Sequence, residues 1–279
     1  MIIDFHTHTF PQQLAKRALE KLGGSEGLKP CTDGTNSGLI ESMDRSGVDV
    51  SILLPVVTKV VQTEDINKIA ASAEALSEHR LISFGGIHPD DEKYEEHLKE
   101  LVRNGVKGIK LHPVFQQTYF DDIRYMHIVD KASELGLIIM VHAGSDISMP
   151  DAKYSSAEHL IRVANEVRPN KLIYAHMGSW RDWDDTEKVI SECHDIYVDT
   201  SFVLPIDGSE TFYDTGIPAM PTERFCKIVK DIGADRVLFG TDSPWVDQRQ
   251  SIDIIKNSGL MQEEVDKILG GNAKKLLKI

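Results

Sequence analysis

Eight short runs of β-branched and other apolar residues alternate with stretches of helical periodicity along the whole chain, and that alternation limits the fold more than any other feature. The strand-like runs fall at 2–6, 48–54, 81–87, 106–112, 137–142, 172–176, 196–201 and 236–242. Stretches with apolar residues three and four apart fall at 65–77, 92–104, 123–135, 156–167, 183–193 and 221–232. Strands that are apolar on both faces must be covered on both, and strict alternation does this by wrapping a parallel sheet in helices. The expected fold is therefore α/β, a (β/α)8 TIM barrel forming a single domain over residues 1–279, with its reactive groups at the C-terminal ends of the strands. An open doubly wound sheet is the rival, but no GxGxxG follows the first strand and no phosphate-binding Walker loop is present. Two connections, 9–47 and 202–221, are longer than a crossover needs, and long loops at a barrel's catalytic face often act as lids.

The strand ends carry the chemistry-bearing residues. His6 closes the first run and His8 follows two residues on, so the two share a face in an extended chain and can converge on one ion. Two histidines can also simply sit on a wet strand face. His142, His176 and Asp242 each take the last place of a later run. Asp242 stands before Ser243 and Pro244, where an aspartate also serves to cap a turn. His88 and His112, each followed by proline, end the third and fourth runs, and His112 shares a face with Lys110. Either histidine touches substrate or caps its strand through a backbone hydrogen bond. Trp180 and Arg181 after the sixth run, and Trp245 after the eighth, are placed to grip a substrate's anion and carbon frame, or else to pack the loops. His79, His97, His127, His159 and His194 read as surface or packing residues.

Charge narrows the partners. With 44 acidic against 31 basic residues the net charge is −13, so the average surface repels nucleic acid and anionic membranes. A small-molecule substrate is expected, and an anionic one must be drawn in by local charge. No apolar run approaches the roughly 20 residues of a membrane span. Three scattered cysteines, Cys31, Cys193 and Cys226, suit neither a disulfide framework nor a CxxC metal knuckle. The first strand starts at Ile2 with no basic flank or apolar leader, from which a cytoplasmic location is expected. Pairing into a homodimer is allowed but not dictated.

These residues resemble the amidohydrolase superfamily of metal-dependent barrel enzymes, in particular the amidohydrolase-related branch that includes aminocarboxymuconate-semialdehyde decarboxylase. The likeness rests on Asp4-Phe5-His6-Thr7-His8, Gly108-Ile109-Lys110-Leu111-His112-Pro113, Val141-His142-Ala143-Gly144, Ala175-His176-Met177-Gly178, Gly240-Thr241-Asp242-Ser243-Pro244 and Gly270-Gly271-Asn272-Ala273. By that resemblance His6, His8, His142 and Asp242 hold a divalent metal, with zinc expected and manganese or iron as other options. His176 orients the reactive water or binds a second ion. Zinc with an open coordination position lowers the pKa of its water to about 7, and Asp242 is placed to act as general acid and base. Lys110 departs from the decarboxylase-like members, and its surroundings are similar to those in dihydroorotase, where a carboxylated lysine bridges two metals. As an ammonium it would instead bind a substrate carboxylate or pair with Asp242. The leading expectation is a zinc-dependent hydrolase of an amide, lactone or ester in a small carboxylate-bearing molecule. The alternative is a lyase of the same superfamily, a decarboxylase or hydratase, and a non-catalytic metal-binding scaffold is the third reading.

Overall fold

A computed structural model describes residues 1–23, 28–193, 195–205, 211–212, 216 and 218–279. His194 and parts of the 9–47 and 202–221 connections lie outside the described residues. In chain order the elements are β1 (Ile3–Thr7), α1 (Gln12–Gly23), α2 (Asn36–Ser46), β2 (Val50–Leu53), α3 (Thr63–Leu76), β3 (Leu81–Ser83), β4 (Gly85–Gly86) and α4 (Tyr94–Arg103). Next come β5 (Gly108–Leu111), α5 (Pro113–Gln116), α6 (Ile123–Glu134), β6 (Ile138–Val141), α7 (Ala157–Val167), β7 (Leu172–Tyr174), α8 (Trp183–Glu192) and β8 (Ile196–Asp199). The chain closes with α9 (Thr222–Ile232), β9 (Val237–Leu238), α10 (Gln248–Lys256), α11 (Gln262–Asp266) and α12 (Asn272–Leu277). The contacts resolve two compact units, Met1–Leu53 with Asp199–Ile279, and Leu54–Val198.

In the first unit β1 lies parallel to β2, pairing Ile3 with Val50 and Asp4 with Ser51. A second set of backbone bonds ties β1 to the segment after β9. Phe5 N–H donates to the Phe239 carbonyl at 2.7 Å, Asp242 N–H to that of His6 at 2.8 Å, and His8 N–H to that of Ser243 at 2.6 Å. Ile3, Phe5, Leu39, Met43, Ile52, Phe225 and Phe239 are buried here, each side chain contributing about 1.5–3 kcal/mol. The 9–47 connection contains two helices rather than an open loop. The second starts at Thr35, whose hydroxyl accepts the Gly38 N–H, and stops at Gly47, whose φ of 74° is open to glycine without strain.

In the second unit β4 to β7 and residues 196–198 of β8 run parallel in sequence order. β6 is buried along its whole length as Ile-Ile-Met-Val, the continuous apolar run that a sheet covered on both faces demands. Lys110 is the polar exception. It is 1% exposed in β5, in register with Gly86 and Met140.

The strands are shorter than the sequence pattern implies. His142, His176 and Asp242 follow the ends of β6, β7 and β9, whose last residues are Val141, Tyr174 and Leu238, instead of closing them. His176 and Asp242 take φ values of 56° and 67°, a left-handed conformation that a strand ladder has no place for. Among the described residues no helix is long and apolar enough to cross a membrane.

Candidate metal centre

His6 and His8 leave β1 on one face, and the bond from Asp242 N–H to the His6 carbonyl sets Asp242 at their level. Three donor atoms converge as a result. His6 Nε2 lies 3.2 Å from His8 Nε2 and 3.5 Å from Asp242 Oδ1, and His8 Nε2 lies 3.1 Å from that same oxygen. Donors on one four-coordinate ion with bonds of about 2.1 Å stand roughly 3.4 Å apart, so the spacing fits a shared cation.

The far side of His6 settles which of its nitrogens holds the lone pair. Its Nδ1 sits 2.7 Å from Asp199 Oδ2 and 2.9 Å from the Ser201 hydroxyl, with His6 and Asp199 both buried. A carboxylate accepts only, so Nδ1 carries the proton and Nε2 is left as a ligand. Asp199 is held in turn by the Ser201 N–H and hydroxyl on its Oδ1. Asp4 braces the same region from behind. Its Oδ1 accepts the His6 and Thr241 N–H groups, and its Oδ2 accepts the Thr241 hydroxyl and the Gln248 amide at 2.7 and 2.8 Å. Burial pushes the Asp4 carboxyl up to about 7, against the pull of those four hydrogen bonds.

The second unit has its own cluster. His142 Nε2 donates to the Ser145 carbonyl at 2.9 Å, and its Nδ1 lies 3.1 Å from His176 Nε2. The His112 ring stacks on His142 at a centroid distance of 4.1 Å, and Asp146 Oδ2 lies 3.7 Å from His112 Nε2 and 4.0 Å from His142 Nε2.

The other expected residues are placed as follows. His88 is buried and its Nδ1 accepts the Asp90 N–H, so it caps its own turn, while burial lowers its pKa. Trp180 is buried, with its backbone N–H donating to the Ala143 carbonyl, and Arg181 beside it is exposed. Trp245 is half-buried, and its ring lies close enough to Gly23 that a Cβ there would meet it at 2.7 Å. Asp199, Ser201, Asp146 and Asp4 escape the sequence reading. Asp199 closes β8 two residues before the expected end of its run, so it carried no strand-end signal in the sequence.

A family model described as amidohydrolase matches residues 3–279. Gamma-resorcylate decarboxylase of Polaromonas sp. (strain JS666 / ATCC BAA-500) is 34% identical over 71 residues, which is 25% of this chain and 22% of that protein's length. An uncharacterized TIM-barrel protein from Bordetella bronchiseptica superimposes with a TM-score of 0.78 at 18% identity, over 99% of this chain and 98% of its own. The crystal structure of dihydroxybenzoic acid decarboxylase from Polaromonas sp. JS666, with bound manganese and the inhibitor 2-nitroresorcinol, superimposes with a TM-score of 0.70 at 17% identity, over 99% and 96%. Together with the alternating parallel strands and helices, these likenesses show a (β/α)8 fold.

Proposed function

The chain belongs to the amidohydrolase family, and from that premise we propose that it is a divalent-metal-dependent lyase that removes CO2 from a hydroxylated aromatic carboxylic acid. The observation that carries the metal dependence is the convergence of His6, His8 and Asp242 to 3.1–3.5 Å, with Asp199 fixing the tautomer of His6. Support for the lyase class comes from the two Polaromonas decarboxylases similar to this chain. The residue pattern alone puts hydrolysis first, because Lys110 permits a two-metal centre. The relatives favour the alternative, and one donor set serves both reactions. Manganese, bound in one similar structure, suits the donors as zinc does.

When bound, a divalent ion supplies positive charge that holds a substrate oxygen and stabilises negative charge on it. The protein's part is proton transfer. Asp242 faces His6 and His8 through Oδ1, and in this proposal its other oxygen carries the proton that is transferred. That proton adds to the ring carbon bearing the carboxylate, using a pair of ring electrons. The bond to the carboxylate carbon then breaks, its electrons restore the aromatic ring, and CO2 leaves. A ring hydroxyl ortho or para to that carbon stabilises the electron-poor ring in between, which is why a hydroxylated arene is the fitting substrate. His142 and His176, the further histidines that the family resemblance assigns to the chemistry, meet each other at 3.1 Å.

Incubation of the zinc- or manganese-loaded protein with 2,6-dihydroxybenzoate and related hydroxybenzoates, with CO2 and arene both quantified, tests this reading. Equimolar CO2 and phenol are expected. Hydrolysis of lactones or amides without CO2 release from any hydroxybenzoate would overturn the lyase assignment, and a protein inert toward both would favour a scaffold.

A further inference from the structure

Two separate stretches of the first unit supply the donors of its metal centre, His6 and His8 from β1 and its end, and Asp242 from the segment after β9. Their spacing depends on the joints between those stretches. One joint is the bond from Asp242 N–H to the His6 carbonyl at 2.8 Å. Asp242 itself stands at φ 67°, a conformation that a residue other than glycine keeps where its surroundings over-determine it.

Asp4 makes a second joint. Its Oδ1 accepts the N–H groups of His6 and Thr241 at 3.2 and 3.0 Å, so one oxygen grips a ligand residue of the first stretch and the residue before Asp242 in the other. Its Oδ2 accepts the Thr241 hydroxyl at 2.7 Å. A carboxylate only accepts, so the hydroxyl proton is committed to Asp4 and a lone pair is left for the Ser243 N–H, at 3.0 Å. That bond spans Asp242 and closes a turn of the kind that threonine makes with the backbone two residues on. One hydroxyl thus ties the residues on both sides of Asp242 to Asp4. Gln248, at the head of α10, completes the set by donating its amide to Oδ2 at 2.8 Å.

The fold by itself does not call for this cluster. β1 pairs with β2 through its backbone, and a β-branched apolar residue suits a buried strand position better than a carboxylate, which is costly to take out of water. Asp4, Thr241 and Gln248 are nevertheless 0%, 1% and 0% exposed. The two stretches also touch here, since a Cβ at Gly240 would lie 2.8 Å from that of His6.

We propose that Asp4 and Thr241 are positioning residues for the metal centre, Asp4 acting through the Thr241 hydroxyl to set where the Asp242 carboxylate stands relative to His6 and His8. The inference rests on the metal-dependent reading above and deepens it, since it assigns the spacing of the donors to two side chains that touch neither metal nor substrate.

Metal binding by wild type, Thr241→Val, Thr241→Ala and Thr241→Ser, with no substrate present, tests it. Thr241→Val keeps the shape and loses the hydroxyl, Thr241→Ala loses the hydroxyl with no risk of crowding, and Thr241→Ser keeps the hydroxyl. The probes are Zn2+ and Mn2+ in competition with a chelator, and Co2+, whose visible spectrum reports coordination geometry. Thr241→Val and Thr241→Ala are each expected to weaken binding at least about tenfold and to alter the Co2+ spectrum, whereas Thr241→Ser stays within about threefold of wild type with its spectrum unchanged. A merely structural hydroxyl would lower the Tm of the metal-free protein and move neither readout. Equal affinities and spectra across wild type and variants would therefore overturn the positioning role while leaving the metal centre and the lyase reading standing. So would an equal loss in Thr241→Ser, which would lay the effect on the methyl group. A wild type that binds none of the three ions would sink the metal reading and this inference together.

Discussion

A histidine has two ring nitrogens, and the partner of one decides what the other can do. At His6 that partner is Asp199, 2.7 Å from Nδ1, so Asp199→Asn should leave the fold intact and weaken metal binding by about 10–100-fold in a chelator competition. Unchanged affinity would make the contact merely structural. Asp242→Asn would remove the proposed proton carrier and keep the shape. Turnover should fall at least about a hundredfold with circular dichroism unchanged, and near-normal activity would take Asp242 out of its role. His6, His8 and Asp242 were legible because spacing and strand ends point to them. Asp199 was not, because its meaning lies in a contact across 193 residues of sequence, and a lone acidic residue at a strand end is commonplace.

Elements are decided by pattern where packing is repetitive, and by single contacts where it is not. The predicted helices at 65–77, 92–104, 123–135, 156–167, 183–193 and 221–232 appear as α3, α4, α6, α7, α8 and α9, with ends shifted by no more than two residues. α2 shows no clear helical period because its sequence is polar and contains glycine, and its cap at Thr35 is visible only in the structure. The π-helical stretch Lys267–Gly271 between α11 and α12 is equally opaque, since paired glycines argue against helix. A Cβ at Gly270 would come within 2.3 Å of the Met1 carbonyl oxygen, which is a long-range reason. Two other glycines separate backbone strain from collision. Gly47 and Gly144 both have positive φ, but a Cβ at Gly47 meets nothing, whereas one at Gly144 would lie 2.4 Å from the Trp180 nitrogen. Gly47→Ala should therefore cost about 1 kcal/mol in urea unfolding, and Gly144→Ala clearly more. Equal costs would contradict the close approach of the loops after β6 and β7.

At the scale of the molecule, alternation made the barrel legible, whereas substrate choice in barrels sits in loops, which no period encodes. A cation bound by the folded chain alone stabilises it by mass action. At a free concentration of about 100 times Kd the gain is about 2.7 kcal/mol, or roughly 5 °C in Tm for a chain of this size. Exhaustive chelation should lower Tm by that amount and readdition of metal should restore it. A Tm indifferent to metal would refute a resident ion.

The left-handed backbone at His176 and Asp242 also bears on redesign. Aspartate, asparagine, histidine and glycine tolerate that geometry, whereas valine, isoleucine and threonine are disfavoured by it. A mutant library aimed at new reactivity will therefore recover functional members at 176 and 242 from a narrow alphabet, and diversity is better invested in neighbouring positions whose main chain is relaxed.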